Sequence, residues 1–113
     1  MTEPEMALSI QQPYAELILR GDLVHTRRSR VTHRRGPVYI FASSKHAEDA
    51  SAWSRLESTG QQPATGCIVG RAILRDCVQV KDGFHWVLSD VERFPEPLRP
   101  TNSPQPTFWR PKF

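Results

Sequence analysis

The sequence has few cysteines, few glycines and no long apolar run. Its two cysteines, Cys67 and Cys77, are too few for a disulfide scaffold, and they lack the paired Cys/His spacing of a zinc site. Both lie in an apolar, strand-like stretch, which predicts buried, reduced thiols. No segment approaches the roughly 20 apolar residues that a membrane-spanning helix needs. The sequence therefore predicts neither a metal centre nor a membrane protein.

The first residues, MTEPEMALSI, are acidic and lack the positively charged start of a secretory signal. The chain has 113 residues, of which 38% are hydrophobic and 24% charged, and these values are ordinary for one globular domain. We therefore expect a single domain over residues 1–113, located in the cytoplasm. No cofactor is expected, and a monomer is the default state.

Positive charge is concentrated in one short part of the chain, residues 20–35, which we call the basic segment. It contains six arginines against Asp22 alone, which leaves a net charge of +5, whereas the rest of the chain has a net charge of −2. A local basic patch is typical of proteins that bind a polyanion such as a nucleic acid. The alternative is that carboxylates from elsewhere in the chain pair with these arginines. The six are Arg20, Arg27, Arg28, Arg30, Arg34 and Arg35.

Hydrophobic periodicity predicts the element order β-α-β-β-α-β-β. Strands are expected at residues 7–10, 23–31, 37–43, 67–80 and 84–88, and helices after Pro13 and over 46–56, the second capped by Ser43 or Ser44. Residues 58–66 are predicted to form a loop, and residues 81–83 a hairpin turn. Six prolines after Phe94 predict an extended, surface-lying C-terminal segment, about 95–113, anchored by Phe108 and Trp109. The alternative is a proline-rich tail that engages a partner protein. Because strand 67–80 is very long, we expect an α+β domain around a curved, barrel-like sheet that bends at Gly70.

Several of these stretches resemble one protein family. LSIQQPYAELILRGD, RRSR, RRGPVYIFAS, GCIVGRAILRDC and FHWVL follow one another as in the ASCH domain, the activating signal cointegrator homology domain of the PUA-like superfamily. The resemblance runs from Leu8 to about Trp109. It implies a small PUA-like β-barrel flanked by helices, with a cleft beside the barrel. It also implies an RNA or modified-nucleoside partner, because relatives are proposed RNA binders and some hydrolyse acetylated cytidine.

The chain departs from the family motif at positions that matter for hydrolysis. Aligned from Gly21, the family's lysine falls on Leu23 and its glutamate on Thr26, whereas its arginine and serine fall on Arg28 and Ser29. Leucine has no proton to exchange, so it cannot replace a lysine that activates water or a nucleophile. Thr26 has no base within its own segment, and strand alternation predicts that His25 points to the opposite face. These departures weaken the alternative to simple binding, which is a small hydrolase acting on N4-acetylcytidine-type nucleosides or a ribonuclease, with Thr26 as the catalytic residue in either case.

Arg28 is the strongest candidate for a nucleic-acid contact. Its guanidinium can hold a phosphate or a base edge through two parallel hydrogen bonds, although a buried pair with a carboxylate is the competing interpretation. Tyr14 either stacks on a base or packs against the domain. The remaining basic side chains are predicted phosphate contacts. The full predicted nucleic-acid-binding set is Arg28, Ser29, Thr26, Arg27, Arg30, Arg34, Arg35, Arg20 and Tyr14, and His33 is grouped with the phosphate contacts.

Overall fold

The computed structural model describes residues 3–56 and 62–113. Its elements are β1 (Ala7–Ile10), α1 (Tyr14–Leu19), β2 (His25–Arg28), β3 (Gly36–Ala42), α2 (Ala50–Ser54), β4 (Cys67–Val80), β5 (Gly83–Leu98) and β6 (Phe108–Trp109). The domain is therefore mostly sheet with two short helices. The part of the predicted loop 58–66 that precedes residue 62 lies outside the described residues.

The six strands form one sheet in the order β2-β5-β4-β3-β1-β6. Strands β1 and β3 run parallel, whereas the other neighbouring pairs are antiparallel. Strands β2 and β6 are the two ends of this order, so the sheet is open. The predicted combination of sheet and helices is thus confirmed as a small, sheet-rich domain with two short helices.

The long strand β4 has the predicted bounds, and Gly70 lies at one of its irregular positions. The register with β5 shifts between Ile68 and Gly70, and Gly70 pairs with Arg93. A Cβ atom at residue 70 would lie 2.3 Å from the Glu92 carbonyl oxygen and 2.9 Å from Leu19 Cδ2. Only glycine permits this close approach between the two strands.

Strand β5 is much longer than predicted, because it continues through Pro95 and Pro97 to Leu98. The prediction that the chain has no regular element from Pro95 onward is therefore wrong. Strand β2 pairs only with the first part of β5, from Phe84 to Val87. Beyond that point one edge of β5 has no neighbouring strand among the described residues, so proline residues need not supply a hydrogen bond there.

Strand β2 is shorter than the predicted 23–31. Its last residue, Arg28, pairs with Phe84, next to the turn where β5 begins, so the chain beyond it has no strand to pair with. Helix α2 is also shorter than the predicted 46–56, and its N-cap is Asp49 instead of Ser43 or Ser44. The Asp49 side chain accepts a hydrogen bond from the backbone N–H of Ala52, which fixes the start of the helix there.

The main core packs α1 against β1, β3, β4 and the first part of β5. Its largest fully buried side chains include Leu8, Ile10, Ile18, Ile40 and Leu74. Trp86 is also buried, and its indole N–H donates to the Arg30 carbonyl oxygen at 2.9 Å. Both cysteines are free thiols, Cys67 buried and Cys77 only half-buried. The core therefore supports the inner face of β2, where the candidate site begins.

Candidate functional site

Arg28 is held in place by backbone and side-chain contacts at the end of β2. Its Nη2 donates to the Ser9 carbonyl oxygen at 2.6 Å, and its Nε donates to Thr26 Oγ1 at 3.2 Å. The guanidinium carbon lies 5.3 Å from the centre of the Trp86 ring. This combination fixes the plane of the guanidinium, because a cation over an indole face is attracted by the ring.

No carboxylate of the described residues forms an ion pair with Arg28. Burial lowers the pKa of Arg28 to about 10, so the side chain still carries its charge at neutral pH. Its Nη1 has no hydrogen-bond partner among the described residues. Arg28 is therefore a half-buried, oriented cation whose charge is not balanced by the described part of the chain, and the competing interpretation of a buried Arg–carboxylate pair does not apply there.

Two adjoining clefts meet at Arg28. The first, which we call the Leu23 cleft, has a volume of about 520 Å³ and is lined by Tyr14, Leu23, His25, Thr26, Arg27, Arg28, Ser29, Asp49 and Asp82. The second, the Lys45 cleft, has a volume of about 340 Å³ and is lined by Ser9, Ile10, Gln11, Tyr14, Thr26, Arg27, Arg28, Ser43, Lys45 and Pro106. Both volumes are within the range of small-molecule sites, roughly 300–1,000 Å³. Thus Tyr14, Thr26, Arg27 and Arg28, all predicted from the sequence, line both clefts.

Tyr14 and Asp49 form a fixed polar pair on the wall of the Leu23 cleft. The Tyr14 hydroxyl donates to Asp49 Oδ2 at 2.6 Å. This bond, with burial and the nearby negative charge, raises the pKa of Tyr14 to about 12. The same bond is the main reason why the pKa of Asp49 is lowered, with further help from the Ala52 N–H and the Ser51 hydroxyl. Asp49 is therefore an ionised acceptor at neutral pH.

His25 lines the same cleft as Thr26, although strand alternation predicted that it would point away. All of the residues from 25 to 29 line the Leu23 cleft, so this cleft follows the open edge of β2 and receives side chains from both faces. The His25 ring stacks on His85 with centroids 3.8 Å apart. Burial, followed by the charge of His85, lowers the pKa of His25.

The structure separates the six arginines of the basic segment into two groups. Three lie near carboxylates: Arg20 with Glu16 at 2.7 Å, Arg27 with Asp82 at 3.9 Å and Arg35 with Asp76 at 3.8 Å. The last two pairs are long and exposed, so they neutralise little charge. The other three, Arg28, Arg30 and Arg34, form no ion pair with any described carboxylate. The basic segment is therefore only partly balanced by the described residues.

The predicted residues do not all come together at the clefts. Arg20 lines neither cleft. Its partner Glu16 also accepts two hydrogen bonds from Arg93, and these bonds connect α1 to β5. Arg34 and Arg35 line a separate hollow, and the Arg34 guanidinium lies 5.0 Å from the centre of the Phe108 ring. The structure thus places Tyr14, Thr26, Arg27, Arg28 and Ser29 at the clefts, whereas the other four arginines of the basic segment line neither cleft.

Sequence reasoning missed three charged residues of the clefts, Lys45, Asp49 and Asp82. None of them lies in the basic segment, and no local motif marks them as site residues. The positions of Lys45 and Asp49 depend on how the chain between β3 and α2 returns toward α1, where the Ala47 N–H donates to the Gln12 carbonyl oxygen at 2.8 Å.

No protein-family model matches this chain, and no curated protein is significantly similar to it. Within residues 3–56 and 62–113, no helix has the length and apolar composition needed to cross a membrane. Across the same described residues, no three His, Cys, Asp or Glu side chains are grouped closely enough to hold a metal ion.

Proposed function

We propose that this protein is an ASCH-type nucleic-acid-binding domain that binds a single nucleic-acid strand at the clefts beside Arg28. The observation that carries the proposal is the Arg28 guanidinium, which is oriented by Ser9, Thr26 and Trp86, has no described carboxylate partner, and lies where two clefts meet. A half-buried cation in such a place attracts an external anion, and a guanidinium binds a phosphate with directed hydrogen bonds. RNA is favoured over DNA because the resemblance is to a superfamily of RNA binders.

Other cations of the chain extend the proposed surface beyond one contact. Arg30 and Arg34 lack described carboxylate partners, and Lys45 and the weakly paired Arg27 line the Lys45 cleft beside Arg28. Phosphate contacts of this kind add affinity and position the strand without reading its sequence. In the same proposal, the open sheet curves into the PUA-like barrel of the ASCH family, and the protein acts in the cytoplasm.

A binding panel tests this function directly. Affinity is measured by fluorescence anisotropy for single-stranded RNA, tRNA, single-stranded DNA and duplex DNA at several salt concentrations. If three to five phosphates are contacted, the logarithm of the binding constant for a single strand should fall with the logarithm of salt concentration at a slope of about −2 to −3.5.

Arg28→Ala is the decisive variant. It should weaken binding by about 1–3 kcal/mol, which is roughly 5- to 150-fold. The matched control is Arg75→Ala, which removes the same charge from an exposed arginine that pairs with Asp90 and lines neither cleft. An affinity that responds neither to Arg28→Ala nor to salt would refute the proposal.

A hydrolase remains the second candidate, and one observation favours it. No base for Thr26 was found in its own segment, but the fold brings Lys45 into the cleft that Thr26 lines. In its uncharged form, a lysine amine within hydrogen-bond reach of a hydroxyl can take the hydroxyl proton and so create a nucleophile. Incubation with N4-acetylcytidine and with labelled RNA tests this activity. Turnover that is abolished by Thr26→Ala and by Lys45→Ala would establish an enzyme, whereas absence of turnover in the wild type would exclude these two reactions.

A further inference from the structure

The two clefts beside Arg28 differ in charge. Both carboxylates that line them, Asp49 and Asp82, belong to the Leu23 cleft. The lining of the Lys45 cleft has no carboxylate among the described residues, and it adds an ammonium group to Arg27 and Arg28. In the Leu23 cleft the two carboxylates offset Arg27 and Arg28, whereas the Lys45 cleft has three cations and no described carboxylate. A phosphate is therefore favoured in the second cleft. The Leu23 cleft is then available for an uncharged part of the same ligand.

The Leu23 cleft has one polar acceptor that is already ordered. Asp49 Oδ1 accepts from the Ala52 N–H at 3.1 Å and from the Ser51 hydroxyl at 3.0 Å. Asp49 Oδ2 accepts from the Tyr14 hydroxyl at 2.6 Å. A carboxylate oxygen has about two lone-pair positions, so Oδ1 is fully used and Oδ2 retains one. Asp49 Oδ2 is therefore an ordered acceptor with one position left for an N–H donor of the ligand.

The remaining lining suits the flat ring of a base. Leu23 supplies an apolar side chain, and the half-buried Tyr14 ring lies between the two clefts with its hydroxyl fixed by Asp49. Aromatic and apolar side chains stack on bases of any sequence, whereas a fixed hydrogen-bond acceptor discriminates between them. An amino group at the base edge can donate to Asp49, whereas a carbonyl at the same place would be repelled by it.

We infer that the two clefts together hold one nucleotide, with its phosphate in the Lys45 cleft and its base in the Leu23 cleft, and that Asp49 selects a base with an exocyclic amino group. This inference rests on the proposed function and adds an orientation and a base preference to it. Arg28 lines both clefts, so in this arrangement its guanidinium contacts the phosphate.

Mononucleotide pairs that differ at one position provide the test. Isothermal titration compares CMP with UMP and AMP with IMP, in which a carbonyl replaces the amino group. The wild-type protein should bind CMP and AMP about tenfold more tightly than UMP and IMP, the effect of one hydrogen bond to a charged group. Asp49→Asn should abolish or reverse this preference, because an amide can donate to a carbonyl.

Lys45→Ala tests the position of the phosphate separately. The substitution should lower the affinity for CMP and for UMP by the same factor. It should leave the affinity for the nucleoside cytidine unchanged, because cytidine has no phosphate. Equal affinities for CMP and UMP, or a preference that survives Asp49→Asn, would overturn the inference. If RNA binding still depended on Arg28 in that case, the proposed function would stand. If CMP were preferred but no polynucleotide bound, the inference would stand and the proposed function would fail.

Discussion

The buried Trp109 decides whether the proline-rich C-terminal segment is part of the core or a free ligand for another protein. Trp109 is only 4% exposed and belongs to β6, which pairs with β1. Its ring packs edge-to-face on Phe41 with centroids 5.1 Å apart, and its indole N–H donates to Ser9 Oγ at 3.0 Å. These contacts indicate that the segment closes the core.

The expected cost of Trp109→Ala follows from those contacts. Removing a buried tryptophan typically costs about 3–5 kcal/mol of unfolding free energy, which is a large part of the roughly 5–15 kcal/mol that stabilises a domain. For 113 residues, about 1 kcal/mol corresponds to a shift in Tm of about 4 °C, so Tm should fall by roughly 12–20 °C. Trp109→Phe keeps most of the packing and loses the hydrogen bond, at a cost of about 1 kcal/mol or somewhat more.

Urea unfolding followed by circular dichroism measures both variants. The control is Phe113→Ala, in the same segment, because Phe113 is 63% exposed and its loss should cost less than about 1 kcal/mol. If Trp109→Ala unfolded within about 1 kcal/mol of the wild type, the segment would not be part of the core. In that case the hypothesis of a partner-binding tail would be favoured instead.

Two further predictions concern the sheet. Gly70→Ala should destabilise the protein by about 1–3 kcal/mol or more, because the new methyl group would lie too close to the Glu92 carbonyl oxygen. Thermal unfolding measures this cost. A Tm close to that of the wild type would contradict the close approach of β4 and β5. The lowered pKa of His25 means that the folded state disfavours the imidazolium. Well above pH 6.5, the unfolding free energy should therefore not depend on this group. As the pH falls below 6.5, the unfolded state binds the proton more readily, and the unfolding free energy should decrease. His85→Gln removes the neighbouring positive charge and should raise the pKa of His25 in an NMR titration, and an unchanged pKa would mean that burial alone sets it.

Local patterns predicted where most of the strands lie and part of the site. Strand β4 has the predicted bounds because its apolar and β-branched residues favour a strand wherever they are buried. The cluster of arginines is also a local feature, and Arg28 and Thr26 do share the inner side of β2 as alternation indicates. The lengths of β2 and β5 could not be predicted, since each depends on where its neighbour in the sheet begins and ends.

Charge density in the basic segment was set by the sequence alone, but its neutralisation was decided by tertiary contacts. Arg35 meets Asp76 and Arg27 meets Asp82, although these partners are more than forty residues away along the chain. The same packing leaves Arg28 without a described carboxylate partner and places Lys45 and Asp49 beside it. Periodicity and composition report only on neighbours in the chain, whereas an ion pair or a cleft depends on distances in space. For that reason the sequence could identify the cation, and only the fold could show what surrounds it.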